Sequence, residues 1–357
     1  MTNYSIGVDL GGTNLRIATI DEHGNVLEKV TLGVRVTQGR DLVVEDMCGA
    51  IQAAIAKFQA IGPLQGIGIG VPGIIDMAKG TVHESPNLPG WDNYPVRDKI
   101  EKRLGTPVIL ENDANSAALG EMWLGASRGV EDMAIITLGT GVGGGMVLRG
   151  RVWHGATGMA GEFGHMTVEP DGALCLCGNR GCLEAYSSAT AILRMAREAV
   201  ASGAATRLRE ASANAEFSAR MVYNLAMQGD EEARKVFDRV GRALGILLAG
   251  VINALNLPMY VIGGGVSAAW DLFSPAVFQE LRERSMVYAA TAPEAKPGRG
   301  VSAHVMPGGT TKTIITPAVL GSDAGLFGAA RLPFLDRRSD QRTAVRSMTF
   351  RKALRKV

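Results

Sequence analysis

The alternation of apolar and polar positions divides the chain into short strands and amphipathic helices separated by glycine-rich turns. Apolar runs predict strands at 4–9, 16–20 and 26–32, joined by turns at Leu10–Asn14 and Asp21–Asn25. Leu42, Val43, Met47, Ala50, Ile51, Ala54, Ile55 and Phe58 recur at helical spacing and predict a helix over 41–60. A strand at 67–71 stops at Pro72-Gly73, a polar loop runs through Ser85–Trp91, and a helix covers 95–104. The strand 107–110 ends in Glu111-Asn112-Asp113, and a helix begins at Ala114. The pattern restarts with a strand at 133–138, the turn Gly139–Gly145, a strand at 146–148, the turn Arg149-Gly150 and a strand at 151–153. Helices near 187–202, 216–228, 230–255, 271–284 and 323–332, with strands at 259–262 and 313–316, complete the reading.

Strand, turn, strand, turn, strand thus occurs twice, at 4–32 and at 133–154, each time followed by helix–strand alternation. This predicts a duplicated α/β fold with a cleft between the copies. The expected domains are 1–113 and 114–322, with the helix at 323–332 packing back on the first. Ligands of such sheets bind outside the strand ends. Asp9, Asn112-Asp113, Gly139–Gly145 and Gly263–Gly265 all fall at predicted strand ends and are expected to converge on one cleft.

Composition adds few constraints. The chain has 357 residues, 46% hydrophobic and 20% charged, which fits a soluble globular protein long enough for two domains. Its net charge of +2 is uneven: residues 331–357 hold nine Lys/Arg and two Asp, a local +7 that leaves −5 on the rest. Such a tail reads as a solvated terminus, and without interleaved aromatic residues it offers little to RNA. The run from Met1 into the first strand lacks the charged and apolar regions of a signal peptide, and no long uninterrupted apolar stretch predicts a membrane span. A cytoplasmic location is expected, with thiols kept reduced; Cys48 reads as a packed thiol within a helix.

The other three cysteines change the picture. Cys175, Cys177 and Cys182 fall within eight residues, and His165 precedes them in Glu162-Phe163-Gly164-His165. One imidazole and three thiolates make a Cys₃His set that closes a tetrahedral structural zinc site and leaves no open catalytic position. Gly178 and Gly181 let the backbone fold around one ion. The alternative, core thiols beside a satisfied histidine, does not account for such crowding. Glu162 and Glu184 flank the ligands, and a closed cluster would fix both carboxylates beside it.

The turns with Gly11-Gly12-Thr13-Asn14 and Thr140-Gly141-Val142-Gly143 can close backbone N–H groups on a phosphate, with the Thr13 and Thr140 hydroxyls adding bonds. Each is also compatible with a plain glycine hairpin turn. Residues 139–145 contain the G-x-G-x-x-G spacing, but a strand follows instead of a helix, which argues against a Rossmann dinucleotide site. The run Gly308–Thr313 fails the P-loop spacing. Asp113 can face a ligand or cap the helix it starts, and Asp9 has the same ambiguity at its turn. In phosphoryl transfer one carboxylate takes the acceptor hydroxyl proton and another holds Mg²⁺ on the phosphates, roles that suit Asp113 and Asp9 respectively. Glu162 and Glu184 would accept hydrogen bonds from neighbouring hydroxyls of a sugar.

Together these pieces resemble the ROK proteins, bacterial sugar kinases and sugar-responsive repressors of the actin/hexokinase-like ATPase superfamily. The matching segments are Asp9–Asn14, Gly70–Gly73, Glu111–Asn115, Leu138–Gly145, Gly161–His165, Cys175–Glu184, Ile262–Val266 and Asp323–Ala329, spread over nearly the whole chain. The resemblance implies two ribonuclease H-like (actin-like ATPase) domains and ATP-dependent phosphorylation of a hexose at its 6-hydroxyl. It implies Asp113 as catalytic base, and Gly73, Asn87, Asn112, Asp113, Glu162, His165 and Glu184 as the sugar-binding set. It further implies an ATP site formed by Asp9, Gly11, Gly12, Thr13, Asn14, Thr140, Gly141, Gly143, Gly263, Gly264 and Gly265, with Asp9 serving Mg²⁺. Zinc on His165, Cys175, Cys177 and Cys182 would be structural, and a homodimer or homotetramer is expected. Asn87-Leu88-Pro89-Gly90-Trp91 is similar to the loop of members that take glucose, which favours it over N-acetylmannosamine, N-acetylglucosamine or fructose. The family's repressors carry a helix-turn-helix ahead of this fold. The first strand here begins near residue 4, so DNA binding would fall to the basic tail, which lacks a recognisable motif. The donor, ATP or polyphosphate, is left open, and neither Thr291–Gly309 nor the tail after Leu332 matches the family.

Overall fold

Two mixed five-stranded sheets of the same design organise the computed structural model, which describes residues 2–85, 88–214, 216–293 and 312–335. The chain divides into two compact units. The first takes in the N-terminal residues to Gly129, the segment His154–Ala160 and the chain from Asp323; the second takes Val130–Trp153 and Gly161–Ser322.

The first unit begins with β1 (Tyr4–Leu10), β2 (Asn14–Asp21) and β3 (Val26–Gly33), then α1 (Arg40–Phe58), β4 (Leu64–Val71), β5 (Ile74–Asp76), β6 (Thr81–Glu84), α2 (Val96–Leu104), β7 (Val108–Asn112) and α3 (Asp113–Leu124). Its sheet runs β3-β2-β1-β4-β7: an antiparallel meander, then β4 and β7 parallel to β1. β1, the central strand between β2 and β4, is buried almost throughout, as a strand covered on both faces should be. Val43, Met47, Cys48 and Ile51 of α1 pack into the same core as Ile6, Val8, Ile67 and Ile69, and burial pushes the Cys48 thiol up. A helix at 324–335 also lies against this sheet. Ser5 Oγ donates to Ala330 O at 2.6 Å, and a Cβ on Gly68 would come within 1.9 Å of Ala329 O.

The second unit repeats the design. β8 (Met133–Leu138), β9 (Val142–Leu148) and β10 (Arg151–Val152) form the meander, and β11 (Met259–Gly263) and β12 (Ile314–Pro317) add parallel to β8, giving β10-β9-β8-β11-β12. Its helices are α4 (Glu184–Ser187), α5 (Ala189–Ala201), α6 (Thr206–Asn214), α7 (Ala219–Met227), α8 (Glu231–Leu255), α9 (Trp270–Arg284) and α10 (Met286–Thr291). α8 keeps Val236, Phe237, Val240, Leu244, Leu247, Leu248 and Ile252 buried on one stripe, the helical spacing carried to its consequence.

Four points differ from the sequence reading. β9 begins at Val142, so Val142–Gly145 pair with β8 as strand and the turn read at Gly139–Gly145 is confined to Gly139–Gly141. The first unit extends to Gly129, so α3 belongs to it and not to a domain starting at 114. The cause is close packing of small residues: a Cβ on Gly120 would meet Ala324 O at 2.1 Å, and one on Gly328 would meet Ser116 O at 1.6 Å. The antiparallel hairpin β5–β6 lies at 74–84, ahead of the loop read at Ser85–Trp91, where no element was expected, and neither were α6 and α10. Asn87, the greater part of 291–309 and the basic tail beyond 335 lie outside the described residues.

Candidate active site and metal-ligand cluster

In the first unit the parallel register brings three strand ends level: Asp9 of β1 faces Gly70 of β4, which faces Glu111 of β7, and Val71 faces Asn112. The turn after β1 is closed by Gly11 N donating to Asn14 O at 2.9 Å, which places Gly11, Gly12 and Thr13 at this edge. Asp9 Oδ2 accepts from Arg16 Nη1 at 3.0 Å, a partner the sequence reading passed over. Burial raises the Asp9 carboxyl above its usual range, against the pull of the Arg16 guanidinium. Asp9 Oδ1 would also lie 3.3 Å from a Cβ on Gly325, so the helix at 324–335 approaches this carboxylate closely.

The end of β7 separates two roles that the sequence left merged. Asn112, not Asp113, is the N-cap of α3: its Oδ1 accepts from Ala114 N at 2.9 Å and Asn115 N at 3.2 Å. Asp113 is the first residue of the helix, half-buried, with its Oδ1 accepting from Ala114 N at 2.9 Å. Asn112 Nδ2 donates to Gly73 O at 3.2 Å, which joins two residues of the expected sugar set. Glu111, which the sequence shows only as part of a motif, is buried and shares a hydrogen bond with His154. A lone acid inside an apolar strand was the signal that could have found it.

In the second unit the β8–β9 turn and the end of β11 lie side by side, because Gly263 faces Thr137 and a Cβ on Gly264 would come within 2.3 Å of Leu138 O. Gly139 N donates to Gly141 O at 2.9 Å, and Ala189 N and Thr190 Oγ1 bond Gly139 O and Thr140 O at 2.8 Å each, so the start of α5 supports the turn. Glu184 is joined to the same turn: its Oε2 accepts from Val142 N at 2.9 Å. Glu162 is exposed at the start of a short turn of helix, Phe163–His165, that packs on β9. That packing needs Gly164, whose Cβ would lie 2.1 Å from Val142 O.

The donor atoms of His165, Cys175, Cys177 and Cys182 all lie within 4.8 Å of one another. His165 Nδ1 is 3.7 Å from Cys175 Sγ, and Cys177 Sγ is 3.7 Å from Cys182 Sγ. Gly181 makes the loop possible: its φ is +72° and a Cβ would clash with Glu169 O at 1.7 Å. Burial pushes the Cys175 thiol up to about 12 and raises Cys182, whereas the Asn179 N–H lowers Cys177. Three sulfurs and one imidazole nitrogen gathered this tightly have the chemistry and closeness of a metal-ligand group. Glu184 Oε1 lies 3.7 Å from Cys175 Sγ, so the same side chain touches this cluster and the β8–β9 turn.

Two sheets of matching order, each placing a glycine turn and a parallel strand end at one edge, define the duplicated fold of the actin-like ATPases. The chain belongs to the ROK family, whose model matches residues 5–334. A glucokinase from Thermotoga maritima is 39% identical over 330 residues, covering 92% of this chain and 96% of that protein. Among solved structures, a ROK hexokinase from Thermus thermophilus aligns at a TM-score of 0.75 with 32% identity, over 94% of this chain and 99% of that one. A ROK family glucokinase from Streptomyces griseus, in complex with glucose and AMPPNP, aligns at 0.70 with 34% identity, over 92% and 98%. Among the described residues no helix is long and apolar enough to cross a membrane.

Proposed function

We propose that this protein transfers the γ-phosphoryl group of ATP to the 6-hydroxyl of a hexose, with glucose the substrate. The observation that carries the reading is at the end of β7, where Asn112 caps α3 and Asp113 opens it, two residues past Glu111, which lies level with Asp9 through Gly70. Asp113 then orients the sugar hydroxyl and accepts its proton as the new O–P bond forms and the bond to the leaving ADP oxygen breaks. Asp9 would hold Mg²⁺, which would supply charge neutralisation for the phosphates; the Asp9 carboxylate is here paired with Arg16. The Gly11–Asn14 turn, the Thr140–Gly143 segment and Gly263–Gly265 supply backbone donors to ATP. Gly73, Asn112, Glu162, His165 and Glu184 take the sugar hydroxyls, with Asn87 beside them from outside the described residues. Similarity to glucokinases, one of them in complex with glucose and AMPPNP, supports glucose as acceptor and ATP as donor.

Zn²⁺ on His165, Cys175, Cys177 and Cys182 has a structural role in this reading, and the closeness of the four donor atoms supports it. A bound ion would ionise the thiols and hold Glu184 and His165 in place. The protein acts in the cytoplasm as a homodimer or homotetramer. An ADP-release assay over glucose, N-acetylmannosamine, N-acetylglucosamine and fructose, with ATP and with polyphosphate, tests the proposal. Turnover with glucose and ATP is expected to exceed every other pair. No turnover with any sugar would remove the kinase reading and leave a sugar-responsive regulator, for which a gel shift across salt concentrations is the direct check.

A further inference from the structure

We propose that His154 is a positioning residue for the Asn112–Asp113 pair, acting through the carboxylate of Glu111; the inference rests on the reading of Asp113 as the base. Glu111 is buried, its side chain 4% exposed, and its two oxygens receive three N–H groups. Oε2 is paired with His154 Nε2 at 2.8 Å, while Oε1 accepts from the backbone N of Asn112 at 2.9 Å and from Asn115 Nδ2 at 3.0 Å. The carboxylate is planar, so fixing one oxygen fixes the other. The imidazole therefore sets where Oε1 stands, and Oε1 holds the amide of the residue that caps α3.

The consequences run along that cap. Asn112 Oδ1 accepts from Ala114 N and Asn115 N, its Nδ2 donates to Gly73 O, and Asp113 Oδ1 accepts from Ala114 N. Without His154, Oε2 becomes a buried acceptor without a donor, and the carboxylate gains by turning toward another one. Asn112 and Asn115 would then have to follow or lose their partner. The histidine is itself held: Ala160 N donates to His154 O at 3.1 Å, and Gly158, with φ +87°, lies close enough to Ile75 that a Cβ would be 3.3 Å from its carbonyl. The hydrogen bond to Glu111 raises the His154 ring above the usual histidine range, with burial opposing and the Glu111 charge adding. Among the described residues Glu111 is the one charged group that shifts it.

The test compares the full-length protein with His154→Ala and His154→Gln. Loss of a hydrogen bond to a charged group predicts that His154→Ala lowers kcat for glucose about 10- to 100-fold, with KM for ATP within about threefold of wild type. His154→Gln, whose amide can donate to Glu111, is expected to recover most of kcat. Amide resonances of Asn112, Asp113 and Asn115 should move in His154→Ala and return toward their wild-type positions in His154→Gln. A folded His154→Ala with kcat within about threefold of wild type overturns the proposal. So does a Gln variant no better than Ala. Should His154→Ala not fold, His154→Asn, too short to reach Glu111, takes its place. A wild-type protein that phosphorylates no sugar would refute the kinase reading alone. The amide resonances then decide, and Asn112–Asn115 unmoved in His154→Ala would still overturn the coupling.

Discussion

Glu184 Oε2 accepts a hydrogen bond from the Val142 backbone N–H at 2.9 Å, and the turn comes so close that a Cβ on Gly141 would lie 2.5 Å from the same oxygen. An acid expected to meet the sugar is thus seated on a turn expected to meet the phosphates, and its other oxygen stands beside Cys175. Gly141→Ala isolates this relationship. The obstructing atom is the end of a flexible side chain, so the carboxylate can swing aside at little cost to folding. Its position is lost all the same, and displacements near 1 Å can cost about 100-fold in rate. We expect kcat/KM for glucose to fall between about 10- and 100-fold while the thermal midpoint stays within about 2 °C of wild type. Steady-state kinetics beside a thermal melt would check this; a variant with unaltered kinetics would show that Glu184 need not be held there.

Asp113→Asn tests the base. Because Asn112 supplies the cap, the substitution leaves the start of α3 intact. General-base catalysis contributes about 10² to 10⁴ in rate, and a loss of that size in kcat is expected. Glucose affinity by calorimetry should change by less than about fivefold, since an amide still accepts a hydrogen bond. Near-normal turnover would place the proton acceptor elsewhere.

How much of this was legible beforehand depended on the range of the signal. The duplicated meander was visible because its period-2 strands and glycine turns are local, and the two sheets do share one order. The Cys₃His set was legible for a similar reason, its cysteines falling within eight residues. What stayed hidden is long-range or small. The assignment of α3 to the first unit depends on Gly120 and Gly328 meeting a helix two hundred residues away in sequence, and isolated glycines give no pattern. The pairing of His154 with Glu111 spans 43 residues, and neither residue type announces its partner. The competition between Asp113 and Asn112 for the cap was unreadable because both are favoured there.

Removing the metal ligands should reach the sugar. Cys177 is exposed, so Cys177→Ser disturbs little packing. Hydroxyl for thiolate weakens a soft-ligand zinc site strongly. The expected result is one zinc per chain in wild type, substoichiometric zinc in the variant, and glucose affinity weakened about tenfold or more, in line with losses of outer support around metal sites. Metal analysis paired with calorimetry reads both quantities on the same sample. Unchanged glucose affinity in zinc-free protein would sever the proposed link between the cluster and Glu184 and His165.

Acid should find a specific weak point at the end of β2. Asp21 accepts from His23 N at 2.9 Å, Asn25 N at 2.8 Å and Asn25 Nδ2 at 2.8 Å, closing the β2–β3 turn. Burial alone would raise its carboxyl, but these donors outweigh it and hold the folded value below the usual range. A folded value lower than the unfolded one means that the unfolded chain binds the proton more tightly. The stabilisation is therefore complete above the unfolded aspartate value of about 3.9 and drains away as pH falls through the lower folded value. Asp21→Asn keeps one acceptor oxygen but no charge, so it should be less stable than wild type at pH 6, and the gap should close toward pH 3. Urea unfolding of both proteins at several pH values between these limits measures it directly. A gap that stays constant down to pH 3 would mean that the turn draws its strength from hydrogen-bond geometry alone and not from the ionised carboxylate.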